Sequence, residues 1–183
     1  MKETAKVEII TIGDELLIGQ IVDSNSAWMG VELNKIGAEV VRITTISDTR
    51  EAIVDALNAA KLKADIVLMT GGLGPTNDDV TKVTLADYYG VDMRMHEETL
   101  ANVKSFFLAK GLPITNINEK QAEVPSNCKV LLNEKGTAPG MWFEDAGFIL
   151  VSMPGVPNEM RHLMTQFILP EIPKRFRLPT REH

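Results

Sequence analysis

The chain has 183 residues, of which 44% are hydrophobic and 24% are charged, a composition typical of a globular domain that buries a core. Its 25 acidic and 19 basic side chains give a formal net charge of −6, which argues against a nucleic-acid-binding protein because such proteins carry a basic face. The single cysteine, Cys128, excludes an internal disulfide. The sequence shows no signal peptide and no apolar stretch of the roughly 20 residues that a membrane-spanning helix needs, so we expect a soluble, cytoplasmic protein with no membrane partner.

The first half of the chain alternates between strand-like and helix-like segments. Short apolar runs rich in β-branched residues predict strands at Val7–Ile12, Glu39–Ile46 and Asp65–Thr70. Apolar residues at helical spacing predict helices at Asn25–Ile36, Arg50–Leu62 and about Asp78–Tyr89. This order of elements predicts a parallel sheet with helices on both faces.

The second half is less regular. His96–Lys110 has helical spacing, and the polar segment that follows it, residues 114–125, has no clear pattern. Short strand-like runs separated by turn residues predict a mixed sheet edge or a β-hairpin, at Lys129–Leu132, Met141–Phe143 and Phe148–Val151. A last helix is expected over Glu159–Phe176, interrupted or bent near Pro170 and Pro173.

Ligands of parallel sheets bind beyond the carboxyl ends of the strands, where three loops of this chain are expected: Gly13–Gly19, Ser47–Thr49 and Gly71–Thr76. In the third loop, glycines allow close backbone approach to a ligand, and the following helix N-terminus offers free amides to an anion. We therefore predict that the loop binds a phosphate group through Gly71, Gly72, Leu73, Gly74, Pro75 and Thr76. The alternative is a tight turn without a ligand, since the loop has neither the lysine of a Walker motif nor the glycine spacing of a dinucleotide fingerprint.

Carboxylates accompany all three loops. Asp78 and Asp79 open the helix after the glycine-rich loop, where they either cap it or hold a divalent cation against phosphate oxygens. Asp48 is expected to cap the helix from Arg50 and, because the strand edge places it near Asp79, to contact a metal or the substrate. Asp14 and Glu15 are candidates for a catalytic base, with solvated loop charges as the alternative.

Further candidate substrate contacts lie in polar segments rich in glycine and proline: Asn25, Lys120, Gly136, Thr137, Pro154 and Gly155. Lys120 would be a useful phosphate partner in an acidic protein. Surface turns and a helix start are the alternative interpretation of these segments. The sequence offers neither a Ser–His–Asp or Cys–His set nor the ligand spacing of a zinc site.

Five ordered stretches resemble the N-terminal domain of the CinA family, over roughly residues 5–175: GDELLIGQIVDSN, TGGLGPTNDDVT, NEKQAEVP, NEKGTAPGMW and MPGVPNEM. That domain is related to the molybdopterin-binding proteins MogA and MoaB, whose GGTG-type loop matches Gly71–Gly74 except at Leu73. The resemblance implies a three-layer α/β/α sandwich with a mostly parallel sheet over residues 1–176 and a tail at residues 177–183.

The resemblance also implies a chemistry. The activity associated with the domain is hydrolysis of the pyrophosphate bond of ADP-ribose with a divalent metal, Mg²⁺ or Co²⁺, and with potassium as a further ion. The alternatives are molybdopterin binding or adenylylation, and a nucleotide-binding module without catalysis. Two aspartates are essential in the molybdopterin relatives, and they correspond to Asp48 and Asp79 here. The resemblance further implies self-association as a homodimer or trimer, and we expect no C-terminal deamidase domain of the kind that CinA proteins commonly carry.

Overall fold

A computed structural model describes residues 3–73 and 78–179 of the chain, with residues 78 and 79 described by their backbone alone. The described strands are Lys6–Ile12 (β1), Glu39–Ile46 (β2), Ile66–Gly71 (β3), Met93–Met95 (β4), Glu123–Pro125 (β5), Lys129–Leu131 (β6), Gly140–Asp145 (β7) and Phe148–Met153 (β8). The described α-helices are Asp14–Leu17 (α1), Ser24–Lys35 (α2), Arg50–Lys61 (α3), Asp78–Tyr89 (α4), Glu97–Ala109 (α5), Asn116–Glu119 (α6), Pro157–Leu163 (α7) and Leu169–Arg175 (α8). A 3₁₀ turn, Lys120–Ala122, follows α6, and a π-helical turn, Met164–Ile168, joins α7 to α8.

A six-stranded sheet with the order β2-β1-β3-β8-β7-β6 forms the middle layer. Strands β2, β1, β3 and β8 run parallel to one another, whereas β7 pairs antiparallel with β8 and β6 pairs antiparallel with β7. The predicted parallel sheet with a mixed edge is confirmed. The four apolar residues that begin β3 explain its central position, because a strand covered on both faces needs apolar side chains on both.

Helices cover both faces of this sheet. The buried side chains of α2, α7 and α8 pack against one face, and those of α3 and α4 pack against the other. Helix α3 shows the cause, since Ile53, Leu57 and Ala60 recur at helical spacing and are all fully buried. In β1 the neighbours Ile9 and Ile10 join opposite cores, as the alternation of a strand requires. The three-layer α/β/α sandwich is therefore confirmed.

An ion pair with a buried carboxylate joins β1 to β2. The Glu8 carboxylate is fully buried and accepts hydrogen bonds from Arg42 Nε at 2.8 Å, Arg42 Nη2 at 3.0 Å and Thr44 Oγ1 at 3.1 Å. These bonds compensate the cost of removing a charge from water. The hydrogen bond to Glu8 in turn raises the pKa of Arg42 above its ordinary value, so the guanidinium stays charged.

The structure differs from the sequence-based expectations in three segments. Residues 13–19 were expected to form a loop but contain α1, a single helical turn. Asp48 does not cap α3, because Thr49 Oγ1 accepts the hydrogen bond from Ala52 N instead, at 3.3 Å. The unpatterned segment 114–125 contains α6, the 3₁₀ turn and β5, which pairs with β4 in a separate two-stranded sheet.

The last helix is interrupted as expected. The π-helical turn Met164–Ile168 stands directly before Pro170, which lies in the first turn of α8. Proline has no N–H to donate to the preceding turn, so the regular α-helical ladder cannot run through this point. Within residues 3–73 and 78–179, no helix is long and apolar enough to cross a membrane.

Candidate functional site

A cleft of about 490 Å³ opens at the carboxyl ends of β1, β3 and β8. This volume is within the usual range for a small-molecule site. Residues from all three predicted loops line it, among them Asp14, Asp48 and Gly72. The expectation that these loops meet at one edge of the sheet is confirmed for the described residues, because parallel strands end at the same edge.

The glycine-rich loop begins with two residues in the left-handed region. Gly71 has φ +98° and Gly72 has φ +68°. A side chain on Gly71 would collide with the carbonyl oxygen of Ile12, so the chain turns into the cleft only because no Cβ is present. Leu73 is buried and lines the cleft beside them. The predicted contacts Gly74, Pro75 and Thr76 lie outside the described residues.

Asp48 and Thr81 flank Gly72. A Cβ on Gly72 would lie 2.5 Å from Thr81 Oγ1 and 3.5 Å from Asp48 Oδ1. Thr81 is fully buried, and its Oγ1 has no hydrogen-bond partner among the residues that the structure describes. A carboxylate from the loop after β2 and a hydroxyl from α4 thus approach the same backbone position. The side chains of Asp78 and Asp79 are outside the description, so their proximity to Asp48 stays a prediction.

A hydrogen-bond network forms another wall of the cleft. Asn25 Nδ2 donates to the carbonyl oxygen of Gly155 at 2.8 Å and to Thr70 Oγ1 at 3.3 Å, and Thr70 Oγ1 donates to the carbonyl oxygen of Pro154 at 2.9 Å. A Cβ on Gly155 would lie only 3.1 Å from Gly71 Cα, so the two glycines pack backbone to backbone. The network brings Asn25, Pro154 and Gly155 together in the cleft wall and fixes their positions, while their contact with a substrate stays a prediction.

Asp14 and Glu15 lie on α1 at the mouth of the cleft, and both are exposed. The Glu15 carboxylate folds back over Gly13, where a Cβ would lie 2.8 Å from Glu15 Oε1. Asp23, which also lines the cleft, caps α2 by accepting a hydrogen bond from Ser26 N at 3.0 Å. Both candidates for the catalytic base therefore reach the site, and the choice between them stays open.

A further carboxylate of the site, Glu159 of α7, is held by the loop between β6 and β7. Asn133 Nδ2 donates to Glu159 Oε2 at 2.8 Å, and Gly136 lies against the same carboxylate, where a side chain would collide with it. Thr137 and Glu159 line the cleft. Partial burial raises the pKa of Glu159, and the hydrogen bond from Asn133 offsets part of that rise. Sequence reasoning missed Glu159, whose only signal was its place in the first turn of a helix after a Pro–Gly pair.

Lys120 is not brought to this cleft. It is an exposed residue of the 3₁₀ turn after α6, and that turn packs against α5 and not against the carboxyl edge of the sheet. Gly136 does not line the cleft either, but its backbone packs against the Glu159 carboxylate. Of the described residues predicted to contact the substrate, Lys120 and Gly136 are therefore outside the cleft lining, and Lys120 lies on a different part of the fold.

Among the side chains that the structure describes, no three His, Cys, Asp or Glu residues lie close enough together to hold a metal ion. Asp78 and Asp79 are not included in that statement, because only their backbone is described. A metal site built from Asp48, Asp78 and Asp79 consequently stays a prediction. Cys128 does not line the cleft. It is buried in the core that includes residues of α3 and α4, and burial raises the pKa of its thiol to about 11.

Comparison with known proteins identifies the family. The model of the probable molybdopterin-binding domain matches residues 8–174. A solved structure of CinA from Thermoplasma acidophilum, described as of unknown function, is 34% identical, has a TM-score of 0.79, and covers 88% of this chain and 95% of its own. The chain belongs to the CinA family. CinA-like proteins of Cytophaga hutchinsonii and Flavobacterium psychrophilum are 44% and 42% identical over 94% and 95% of it.

The chain corresponds to only part of each of these curated relatives. The chain spans only about two-fifths of the length of these curated CinA-like relatives, 41% and 42%. The tungsten cofactor synthesizing protein MoaB from Pyrococcus furiosus has a TM-score of 0.59 over 97% of this chain and 99% of its own, but it is only 20% identical. This likeness shows a shared fold and confirms the expected relation of the CinA domain to the MoaB fold.

Proposed function

We propose that this CinA-family chain hydrolyses the pyrophosphate bond of ADP-ribose or a related dinucleotide and releases AMP and ribose 5-phosphate. The observation that supports this proposal most is the convergence of a glycine backbone and carboxylates in one cleft. Gly71 and Gly72 supply main chain that a phosphate can approach closely. Asp48 reaches the same cleft from the loop after β2, and Asp14 and Glu15 reach it from α1.

The phosphates bind at the glycine-rich loop. Helix α4, with 12 residues, begins a few positions after Gly72, and the amides of a helix N-terminus carry partial positive charge toward an anion. A chain with net charge −6 has to attract phosphate through such local groups, because its overall charge repels the anion.

Asp48, Asp78 and Asp79 are the residues that would hold a divalent cation, Mg²⁺ or Co²⁺, with potassium as a further ion of the site. The described part of this set fits a hard cation, because the Asp48 carboxylate and the buried Thr81 hydroxyl place two oxygens beside Gly72. When bound, such an ion supplies polarisation of the phosphoryl oxygens and a lowered pKa for bound water.

Asp14 or Glu15 acts as the base. The carboxylate accepts a proton from a water molecule while the water oxygen forms a bond to one phosphorus atom. The bond from that phosphorus to the bridging oxygen breaks, and the second phosphate leaves with the electron pair. The exposed position of both side chains at the cleft mouth supports this role, since the attacking water has to enter from solvent.

Phosphorus NMR tests the proposal. The purified chain is incubated with ADP-ribose and either Mg²⁺ or Co²⁺, and the appearance of AMP and ribose 5-phosphate is followed. We expect product with the metal, none after EDTA treatment, and none with a folded Asp79→Asn variant. Absence of product with both metals would overturn the proposed hydrolysis.

A second candidate is the binding or adenylylation of molybdopterin. It is favoured by the description of the matching family model and by the fold shared with MoaB. Adenylylation requires ATP, so release of pyrophosphate from ATP only in the presence of molybdopterin distinguishes it from hydrolysis of ADP-ribose. Metal-independent nucleotide binding without any turnover would instead indicate a non-catalytic module.

For any of these functions, we propose that the chain self-associates as a dimer or trimer, which light scattering measures.

A further inference from the structure

Glu159 carries an unneutralised negative charge in the wall of the cleft. It has a hydrogen bond from the neutral Asn133, and no described lysine or arginine forms an ion pair with it. Arg161, two residues further along α7, lies over the Trp28 ring instead, 5.5 Å from its centroid. The Glu159 carboxylate therefore has further hydrogen-bond acceptor sites with which it can bind a ligand in the cleft.

The structure holds this carboxylate in a fixed position. Asn133 is only 1% exposed, and its Nδ2 also donates to the carbonyl oxygen of Ala138 at 2.9 Å, while its Oδ1 accepts from Lys135 N at 3.0 Å. Every polar atom of that side chain is thus engaged, and its donor is aimed at Glu159 Oε2. Gly136 covers one side of the carboxylate, because only a residue without a side chain fits there. Such support is typical of a binding residue whose geometry is set before the ligand arrives.

The charge of Glu159 restricts what it can contact. A carboxylate repels phosphate, so it cannot serve the phosphate end of a nucleotide, and as an acceptor it requires a ligand group that donates hydrogen bonds. The two vicinal hydroxyls of a ribose are such donors, and a carboxylate commonly recognises them in nucleotide-binding proteins. A metal is the poorer assignment, because no group of three possible ligands exists among the described side chains.

We infer that Glu159 binds the ribose hydroxyls of the nucleotide and so makes the cleft specific for ribonucleotides. This inference rests on the proposed function in one respect, namely that the cleft holds a nucleotide. AMP is the probe, because it is the nucleotide part of ADP-ribose and would equally be part of an adenylylated pterin. Glu159 thereby sets ligand orientation, with the sugar at α7 and the phosphate at Gly72.

The test is the affinity of the full chain for AMP and for its 2′,3′-dideoxy analogue, measured by calorimetry. The variant is Glu159→Gln, whose amide oxygen can still accept from Asn133, and the control is Glu134→Gln. Glu134 is exposed on the loop between β6 and β7, next to Asn133, and does not line the cleft, so its substitution matches the change in charge alone. We expect the wild type and the control to prefer AMP by about tenfold and Glu159→Gln to lose that preference.

The possible results separate this inference from the proposed hydrolysis. Loss of ribose preference in Glu159→Gln with no cleavage of ADP-ribose by the wild type would support the inference and overturn the hydrolysis. An unchanged preference in a folded Glu159→Gln variant would show that Glu159 only supports the loop, whether or not ADP-ribose is cleaved. A changed preference between AMP and IMP would assign Glu159 to the base and overturn the inference, and so would a wild type that binds neither nucleotide.

Discussion

Gly72 and Asp48 lie against each other at the point where β3 ends, with 3.5 Å between Asp48 Oδ1 and the position that a Cβ on Gly72 would occupy. The relationship exists because Gly72 adopts a left-handed conformation and has no side chain, which leaves room on the same side for Asp48 from the loop after β2 and for Thr81 from α4. The glycine is therefore required twice, once for the turn and once for the approach of Asp48 and Thr81.

Replacing Gly72 by alanine should remove activity and lower stability. A left-handed alanine costs about 1–2 kcal/mol, and the new Cβ would also lie 2.5 Å from the buried Thr81 Oγ1. The control is Gly90→Ala, since Gly90 has a similar φ of +64° at the end of α4 but no atom within 4 Å of its Cβ position. Urea unfolding and the release of AMP from ADP-ribose are measured for both variants. Equal activity in both would contradict the role of the loop.

Asp48→Asn should reduce the turnover of ADP-ribose by about 100-fold or more while leaving the fold intact, because it removes a charge where negative phosphoryl oxygens and a cation would meet. Asp79→Asn should have the same effect if both aspartates act together. The control is Asp55→Asn, an exposed aspartate of α3 outside the cleft. The checks are kcat, circular dichroism and the Mg²⁺ concentration required for half-maximal rate. Full activity of Asp48→Asn would remove it from the site.

Local sequence patterns predicted most of the sheet and the helices on its faces. Strands β1, β2 and β3 and helices α2, α3 and α5 all begin and end within two residues of the predicted bounds. Each contains a long apolar pattern that only one secondary structure satisfies. The two-stranded sheet of β4 and β5 was missed because three residues carry too little pattern, and its pairing joins Met93 to the distant Pro125.

The site was predictable where it depends on topology and unpredictable where it depends on packing. The convergence of Asp14, Asp48 and Gly72 follows from the parallel order of the strands, which can be read from the sequence. The position of Lys120 depends on how α6 packs on α5, and the role of Glu159 depends on its contact with Asn133, 26 residues away. Nothing in the neighbouring residues of either side chain specifies those contacts.

Removing the Glu8 carboxylate should destabilise the fold by about 2 kcal/mol, because Glu8→Ala leaves the Arg42 guanidinium and the Thr44 hydroxyl without their acceptor at a buried position of β1. The comparison is Glu32→Ala, which breaks the surface pair with Lys35 and should cost under about 0.5 kcal/mol. The free energy of unfolding in urea is measured for both variants. Similar losses in the two would show that burial adds nothing to the Glu8–Arg42 pair.

Cys128 should make stability fall at high pH. Burial raises the pKa of its thiol from 9.0 to about 11, so the folded chain keeps the proton over a range of pH in which the unfolded chain releases it. The unfolded state then binds fewer protons, and the free energy of unfolding decreases as pH rises from about 9 to about 11. Two pKa units correspond to a loss of about 2–3 kcal/mol at the upper end of that range, and to no loss at pH 7.

The Cys128→Ala variant isolates this effect, because all other titrating groups are common to both proteins. In urea unfolding, the stability of this variant relative to wild type should increase between pH 9 and pH 11. Its turnover of ADP-ribose at pH 7 should match wild type, since Cys128 is only 4% exposed and does not line the cleft. The same burial should keep native Cys128 unreactive toward iodoacetamide at pH 7, because only the thiolate is nucleophilic. A constant difference in stability over this pH range, or rapid labelling of the folded chain, would mean that the thiol is reached by water and ionises near its ordinary pKa.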